Sequence, residues 1–452
     1  MGIVGGLITL CTLAEWALDF SEVVSADCCK EGETPTAAID GNCWIYECAC
    51  GIVAGLESGC PGAFNRLLFA FKKRIDYVRK CGWDTIIVFD GRSLPIKKAT
   101  NDKRAARRSK AKKHKQNKGK RGVGSDLSGF KVTHDLIHRL VLSLQTFGET
   151  VLVAPHEGDS QCAFLVNNGK AHIVITRDSD LIPHGCRCIF FWNSTYKCAM
   201  PGGFGGKFYY KPSLWRCQQG LWNPILQLGW DSFLAVCVLA GCDYNVGVKN
   251  VGIKKAIQLM TKHRTLEAVV ELLLDPQRQH YKNAKVPDDF LVSAHKSMVM
   301  FKHALVFDPD RNVVLHAQDL PAGESPLIQI GSPNWMGRVP ISREQAIGLS
   351  RSEIHPETLV PYPPLTREVV SRSTDTSATV PRDPHKSRSG RRFKPTKRKR
   401  EQDQSGGRRK IEKVVPLNAV QWKRLLQENN INVDVPQVHT QSRVRVVYFI
   451  FK

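Results

Sequence analysis

An α/β fold built around a mostly parallel sheet flanked by helices is what this 452-residue chain predicts, and three observations predict it. Short apolar or β-branched runs recur at residues 35–39, 85–89, 151–155 and 172–176. The segments between them are long enough to hold crossover helices, the pattern of strands in a parallel sheet. Each run also ends in acids, and ligands of open α/β sheets bind just outside the carboxyl ends of the strands.

Taken in order, the first run leads to Asp40, the second to Asp90, the third to Glu157 and Asp159, and the fourth to Asp178 and Asp180. A seventh carboxylate, Asp243, follows the apolar stretch 233–240. A single Asp after a strand is ordinarily an N-cap or turn residue, because its oxygens satisfy backbone N–H groups there. Seven acids at such positions imply convergence on one edge of the sheet. Two carboxylates about 4 Å apart repel by roughly 4 kcal/mol at an effective dielectric of 20, so the cluster needs cations. Oxygen donors without a supporting His or Cys set favour Mg²⁺, with Mn²⁺ as a substitute.

The formal charge of +23 is concentrated in two places. Residues 97–121 hold 13 Lys/Arg against one acid and residues 386–410 hold 12 against two, so +12 and +10 lie in these stretches and +1 in all the rest. Two basic patches beside a near-neutral body predict polyanion contact at defined places. All 15 cysteines lie at or before Cys242, and the odd count in a long chain with no evident secretory signal predicts reduced thiols in a cytosolic or nuclear compartment. The apolar run 2–18 contains Glu15 and is too short to span a bilayer, so no membrane association is expected. Cys48, Cys50, Cys186 and Cys188 are not spaced as zinc ligands and read as small core residues.

Apolar periodicity runs through residues 1–325. The basic stretch is helix-friendly over 97–115, while four glycines between 118 and 129 oppose helix there, predicting a mobile basic element after Asp90. Beyond about residue 363 aliphatics thin out among Ser, Thr, Pro and Arg, so the tail is expected to be disordered, with a short amphipathic segment at 417–426. Within it Lys394, Lys397, Arg398, Lys399 and Arg400 read as a nuclear localisation signal. Residues 441–449 match a sliding-clamp peptide poorly, because Val447 stands where an aromatic is expected. Gly202-Gly-Phe-Gly-Gly-Lys207 fails as a phosphate loop, with Phe208 in place of the required Ser or Thr, and reads as a glycine-rich turn. His134 and His138, four apart, lack the Glu of a zinc hydrolase helix and read as helix-surface histidines.

Five motifs together resemble the flap endonuclease and exonuclease 1 superfamily of structure-specific 5′ nucleases: Met1-Gly-Ile-Val-Gly5, Phe89-Asp-Gly91, Val153-Ala-Pro-His-Glu-Gly-Asp159, Thr176-Arg-Asp-Ser-Asp180 and Gly241-Cys-Asp-Tyr244. Residues 286–290 and 301–309 are similar to the exonuclease 1 branch. The resemblance implies a nuclease domain over 1–325, divided into an N-terminal segment (residues 1–96), a basic arch (residues 97–130) and an internal segment (residues 131–325) carrying a helix–two-turn–helix element, followed by an extension over 326–362 and the basic tail over 363–452. It places the seven metal acids on Asp40, Asp90, Glu157, Asp159, Asp178, Asp180 and Asp243, holding two Mg²⁺, and the catalytic cations on Lys97 and Arg104. DNA contacts fall on Gly2, Tyr46, Lys98, Lys249, Gly252, Lys254 and Lys255, with a K⁺ allowed at the helix–two-turn–helix. The implied activity is 5′→3′ hydrolysis of double-stranded DNA by a nuclear, monomeric repair enzyme that also has 5′ flap endonuclease activity. Its implied substrates carry 5′ ends, nicks or flaps and its implied partners are mismatch-repair proteins. A flap- or junction-specific endonuclease and a catalytically weakened DNA-binding scaffold are the alternatives.

Four positions depart from that pattern. Asn42 stands where the family has a Tyr that stacks on the terminal base, with Tyr46 one helical turn further on. Arg177 stands where an acid is usual and is expected to bring a cation among the metal ligands. Asn250 replaces the first glycine of a Gly-x-Gly turn whose second is Gly252, and Asn is among the residues that tolerate left-handed backbone. The glycines after residue 118 argue against a rigid arch.

Overall fold

The computed structural model describes residues 18–20, 34–117, 127–193, 203–211, 223–275, 277, 283–320, 334–337 and 342–363. All of them belong to one compact unit, Met1–Thr374. Gly2, the basic tail with its Lys/Arg cluster, the segment 417–426 and the glycine-broken stretch 118–126 lie outside the described residues.

The main sheet comprises β1 (Leu18–Asp19), β2 (Thr36–Asp40), β3 (Asp84–Phe89), β4 (Thr150–Val153), β5 (Ile173–Thr176), β6 (Cys188–Asn193) and β7 (Gly205–Tyr210), in the order β1-β7-β6-β5-β2-β3-β4. From β6 to β4 the five neighbours run parallel, while β7 is antiparallel to β6 and to β1. All four strands expected from the apolar runs form. Ala37, Ala38 and Ile39 of β2 are wholly buried, as a central parallel strand with helices on both faces must be.

Helices α1 (Gly41–Cys48), α2 (Val53–Glu57) and α3 (Pro61–Lys80) fill the crossover from β2 to β3. In α3, Pro61 opens the helix, Arg79 and Lys80 close it, and Phe64, Leu67, Leu68, Phe71, Ile75 and Val78 form the buried stripe. After β3 come a 3-10 turn, Pro95–Lys97, and the basic helix α4 (Lys98–Asn117). Helix α5 (His134–Thr146) leads into β4, and α6 (Gly158–Asn167) into β5. The apolar stretch before Asp243 is α8 (Trp230–Ala240), whose residues 233–239 are all buried; it follows the short α7 (Asn223–Gln227). Helices α9 (Ile253–His263), α10 (Leu266–Leu274) and α11 (Phe290–His303) complete a helical layer. A hairpin of β8 (Leu305–Asp308) and β9 (Val313–His316) is tied to α6 by Gln161, whose amide donates to Phe307 O at 2.9 Å and accepts from Phe307 N at 2.7 Å. No helix of the described residues is long and apolar enough to cross a membrane, and none of their ten cysteines is joined in a disulfide.

Two expectations need correction. The described residues of the glycine-rich turn, 203–207, run into β7 as extended backbone. Gly206 lies so close to β6 that a Cβ would sit 2.2 Å from Phe191 O, so glycine here serves strand contact and not a turn. His138 does not face solvent either, and His134 is half-buried. His138 is buried, donates from Nδ1 to Ser352 O at 2.8 Å and stacks on Tyr362 with ring centroids 3.7 Å apart. His134 Nε2 lies 3.7 Å from Glu357. Both hold the end of the extension, where α12 (Arg343–Ser350) opens with a Ser342/Gln345 capping box.

Candidate metal centre

The loops after β2, β3, β4 and β5 all open at the same edge, because these strands are parallel and adjacent. Asp40 ends β2 and caps α1, accepting from Cys43 N at 2.9 Å and from Thr176 Oγ1 at 2.7 Å. The same threonine oxygen accepts Asp178 N at 2.9 Å, and Asp178 accepts Asp180 N at 3.1 Å. Asp90 accepts Gly158 N at 2.7 Å on one oxygen and Asn42 Nδ2 at 2.5 Å on the other. Backbone bonds from Gly91 N to His156 O, 2.7 Å, and from Arg92 N to Pro155 O, 3.1 Å, stitch the Asp90 loop to the loop bearing Glu157.

Lys97 and Arg104 both reach this edge. Lys97 Nζ lies 2.5 Å from Glu157 and 3.1 Å from Asp243, and Arg104 places Nη2 2.7 and 2.8 Å from the two oxygens of Asp243. Thr100 Oγ1 donates to Asp243 O at 2.9 Å. Although Lys97 sits in the turn before α4 and not in the helix, the two cations face the same carboxylate. Tyr244 completes the cluster, its hydroxyl donating to Glu157 at 2.5 Å while lying 3.1 Å from His184 Nε2.

The electrostatics set Asp243 apart from Asp90, Asp159, Asp178 and Asp180. Burial pushes the Asp90 carboxyl up to about 7, with Glu157 and Asp40 adding repulsion. Burial likewise raises Asp159 and Asp180, each with Asp178 as the next contributor, and burial raises Asp178 as well. Burial also opposes ionisation of Asp243, but Lys97 and Arg104 outweigh it and hold that carboxyl below its ordinary range. Burial would discharge Lys97, yet Glu157 and Asp243 keep it charged.

Among the described residues no three His, Cys, Asp or Glu side chains stand as a closed cage for an ion. Lys97 and Arg104 occupy Glu157 and Asp243. The remaining acids fit a divalent cation: every donor is oxygen, the carboxyls of Asp90, Asp159, Asp178 and Asp180 are driven up by burial and by repulsion from neighbouring acids, and Asp180 Oδ1 is buried without a hydrogen-bond partner.

Arg177 departs from expectation. Its guanidinium pairs with Glu47 and lies 5.5 Å from the centre of the Trp192 ring, so the cation turns away from the acids. Asn250 adopts the left-handed conformation at φ 67° and donates to Asn283 O at 2.7 Å, as its place in the turn requires. Gly252 caps α9, with Lys249 and Lys254 exposed and Lys255 half-buried nearby. Lys98 is exposed at the start of α4. Tyr46 packs edge-on against Phe130 at 5.8 Å. Sequence reasoning assigned no site role to Thr176, Tyr244 or the Asn42 amide. The signal was that each lies within two residues of a predicted acid, Thr176 and Tyr244 inside the quoted motifs and Asn42 at a position that departs from the family.

Two family models match the chain: the XPG N-terminal domain over residues 13–111 and the XPG I-region over residues 148–243. The chain is similar to exonuclease 1 of Arabidopsis thaliana, 28% identical over 341 residues that cover 74% of this chain and 43% of the relative. It is 31% identical to flap endonuclease 1 of Aedes aegypti over 277 residues, covering 57% of this chain and 69% of the relative. The chain spans about two fifths of the length of the plant exonuclease 1 relatives, 43% and 37%. A solved structure of the catalytic core of Rad2 in complex with DNA substrate matches at TM-score 0.43 and 20% identity, over 63% of this chain and 80% of that one.

Proposed function

The chain belongs to the XPG family, and on that premise we propose that it is a Mg²⁺-dependent 5′→3′ double-stranded DNA exonuclease of exonuclease 1 type that also cuts 5′ flaps. The observation that carries this reading is the convergence of Lys97 and Arg104 on Asp243 among the acids of four parallel strand ends. The flap endonuclease 1 relative supports the flap activity.

Asp40, Asp90, Glu157, Asp159, Asp178, Asp180 and Asp243 are the groups that would hold two Mg²⁺ or Mn²⁺. When bound, such ions supply an activated water and neutralise the attacking and leaving oxygens of an in-line displacement. Lys97 and Arg104 hold Asp243 in the substrate-free chain and turn to the phosphate that undergoes transfer, where fixed cations stabilise developing charge. Tyr244 keeps Glu157 oriented through its short hydrogen bond. At the other contact, Gly252 gives α9 no side-chain cap and Lys249, Lys254 and Lys255 lie nearby, an arrangement suited to phosphates of uncut duplex and to a K⁺ at the helix–two-turn–helix. Such contacts carry no base preference, so a 5′ end, nick or flap is recognised by shape. Lys98 and Tyr46 line the approach from the basic helix, and Gly2 belongs to the same contact set. The Lys/Arg cluster 394–400 directs the protein to the nucleus, where mismatch-repair proteins are the expected partners and the chain acts as a monomer.

The test is incubation of purified protein with 5′-recessed, nicked, flapped and four-way-junction DNA in Mg²⁺. Release of 5′-phosphorylated nucleotides from the recessed duplex is expected, faster than junction cleavage. Asp178→Ala should lose more than about 100-fold, since removing even an outer-shell partner of a metal costs about 10–100-fold. Equal activity in Asp178→Ala, or tight DNA binding with no metal-dependent cleavage, rejects the proposal.

A further inference from the structure

We infer that Asn42 is a positioning residue that locks the Asp90 carboxylate in the orientation in which it takes a divalent cation. This rests on the metal-dependent reading above and adds to it a role for a side chain outside the acid set.

Asn42 occupies the first turn of α1, directly after Asp40 and Gly41. Gly41 brings that turn against β3: a Cβ there would lie 2.5 Å from the Phe89 ring and 2.8 Å from Val88 O. The close approach puts the Asn42 amide beside the residue that follows Phe89. Its Nδ2 donates to Asp90 Oδ2 at 2.5 Å, and its Oδ1 accepts from Asp90 N at 3.2 Å. One amide therefore bridges the side chain and the backbone of the same aspartate, fixing the torsions between them. The other carboxylate oxygen is held by Gly158 N at 2.7 Å. With Glu157 and Asp40 both repelling it, an unrestrained Asp90 would rotate away from its neighbours, and the Asn42 bridge opposes that rotation. Asn suits the task because its amide offers a donor and an acceptor on one rigid plane.

The experiment measures Mn²⁺ binding without DNA, by titration calorimetry and by the electron paramagnetic resonance signal of free Mn²⁺. Asn42→Ala and Asn42→Ser, the second with a hydroxyl too short for the bridge and a residue well tolerated in a first helical turn, should each weaken binding about 10–100-fold, the usual effect of losing an outer-shell partner. The Mg²⁺ concentration for half-maximal cleavage should rise in parallel, with KM for DNA unchanged. In an Asp90→Asn background either substitution should add less than about twofold, because coupled residues are not additive. Mn²⁺ affinity within twofold of wild type in both variants, or full additivity with Asp90→Asn, overturns the assignment alone. Wild-type protein that binds no Mn²⁺ overturns the metal reading and this assignment with it.

Discussion

Asp90 carries its negative charge under protest. Its carboxyl titrates at about 7, well above the ordinary 3.8, chiefly because it is buried. Between those values the folded chain binds more protons than the unfolded chain, so this residue lowers stability as pH rises. Buried histidines such as His184, driven down to about 3, act in the opposite direction, and a bare pH profile would mix the two. Comparison with Asp90→Asn isolates the carboxylate. In EDTA the melting temperature of that variant, relative to wild type, should climb between pH 4 and pH 7, and saturating Mg²⁺ should abolish the climb by stabilising the wild type. A difference independent of pH would show that Asp90 is not uncomfortable in the metal-free fold. The acids themselves are legible in the sequence because six follow short apolar or β-branched runs and Asp243 follows the apolar stretch 233–240. Their partners were not: Asn42 meets Asp90 across 48 residues and Thr176 meets Asp40 across 136, and no local pattern records such meetings. Arg177 turns elsewhere than its sequence neighbours suggest for the same reason, since its partner Glu47 lies on a different element.

Among the elements, strands that end in acids announced themselves, while β7 did not. Its glycines argue for a turn on local chemistry, and only the neighbouring strand explains them, because Gly206 must let Phe191 O approach. Gly206→Val should therefore separate β7 from β6 and cost several degrees of melting temperature, whereas Lys207→Val, one residue on and half-exposed, should cost little. If both substitutions behave alike, the close strand contact is not what selects glycine. The extension is legible in the sequence as a segment but not as a brace. Glu357 accepts Ser93 N at 2.8 Å, and Arg92 donates to Glu357 O at 3.3 Å, so the segment after α12 grips the loop that follows Asp90. Tyr362→Ala removes the ring stacked on His138. It should lower the melting temperature by a few degrees, since aromatic pairs contribute about 0.5–1.5 kcal/mol beyond burial; circular dichroism melts check this.

At the scale of the molecule, charge is segregated, and that was fully visible in composition. A near-neutral body with a basic helix and a cationic helix–two-turn–helix should bind duplex in proportion to the phosphates it neutralises. The logarithm of the association constant should fall linearly with the logarithm of salt concentration, by about 0.9 per phosphate. Lys254→Ala should reduce that slope by about one and weaken all sequences equally, as fluorescence anisotropy across a salt series would register. An unchanged slope would remove α9 from the contact.

The shared grip of Lys97 and Arg104 on Asp243 also bears on the birth of the protein at the ribosome. All four acid-bearing strands are synthesised by residue 176, yet the carboxylate that both cations hold is made 67 residues later. At about 5–20 residues per second that delay is on the order of several seconds. Throughout it Lys97 and Arg104 lack the carboxylate that both hold in the finished fold, so this contact forms only after all four acid-bearing strands have been made.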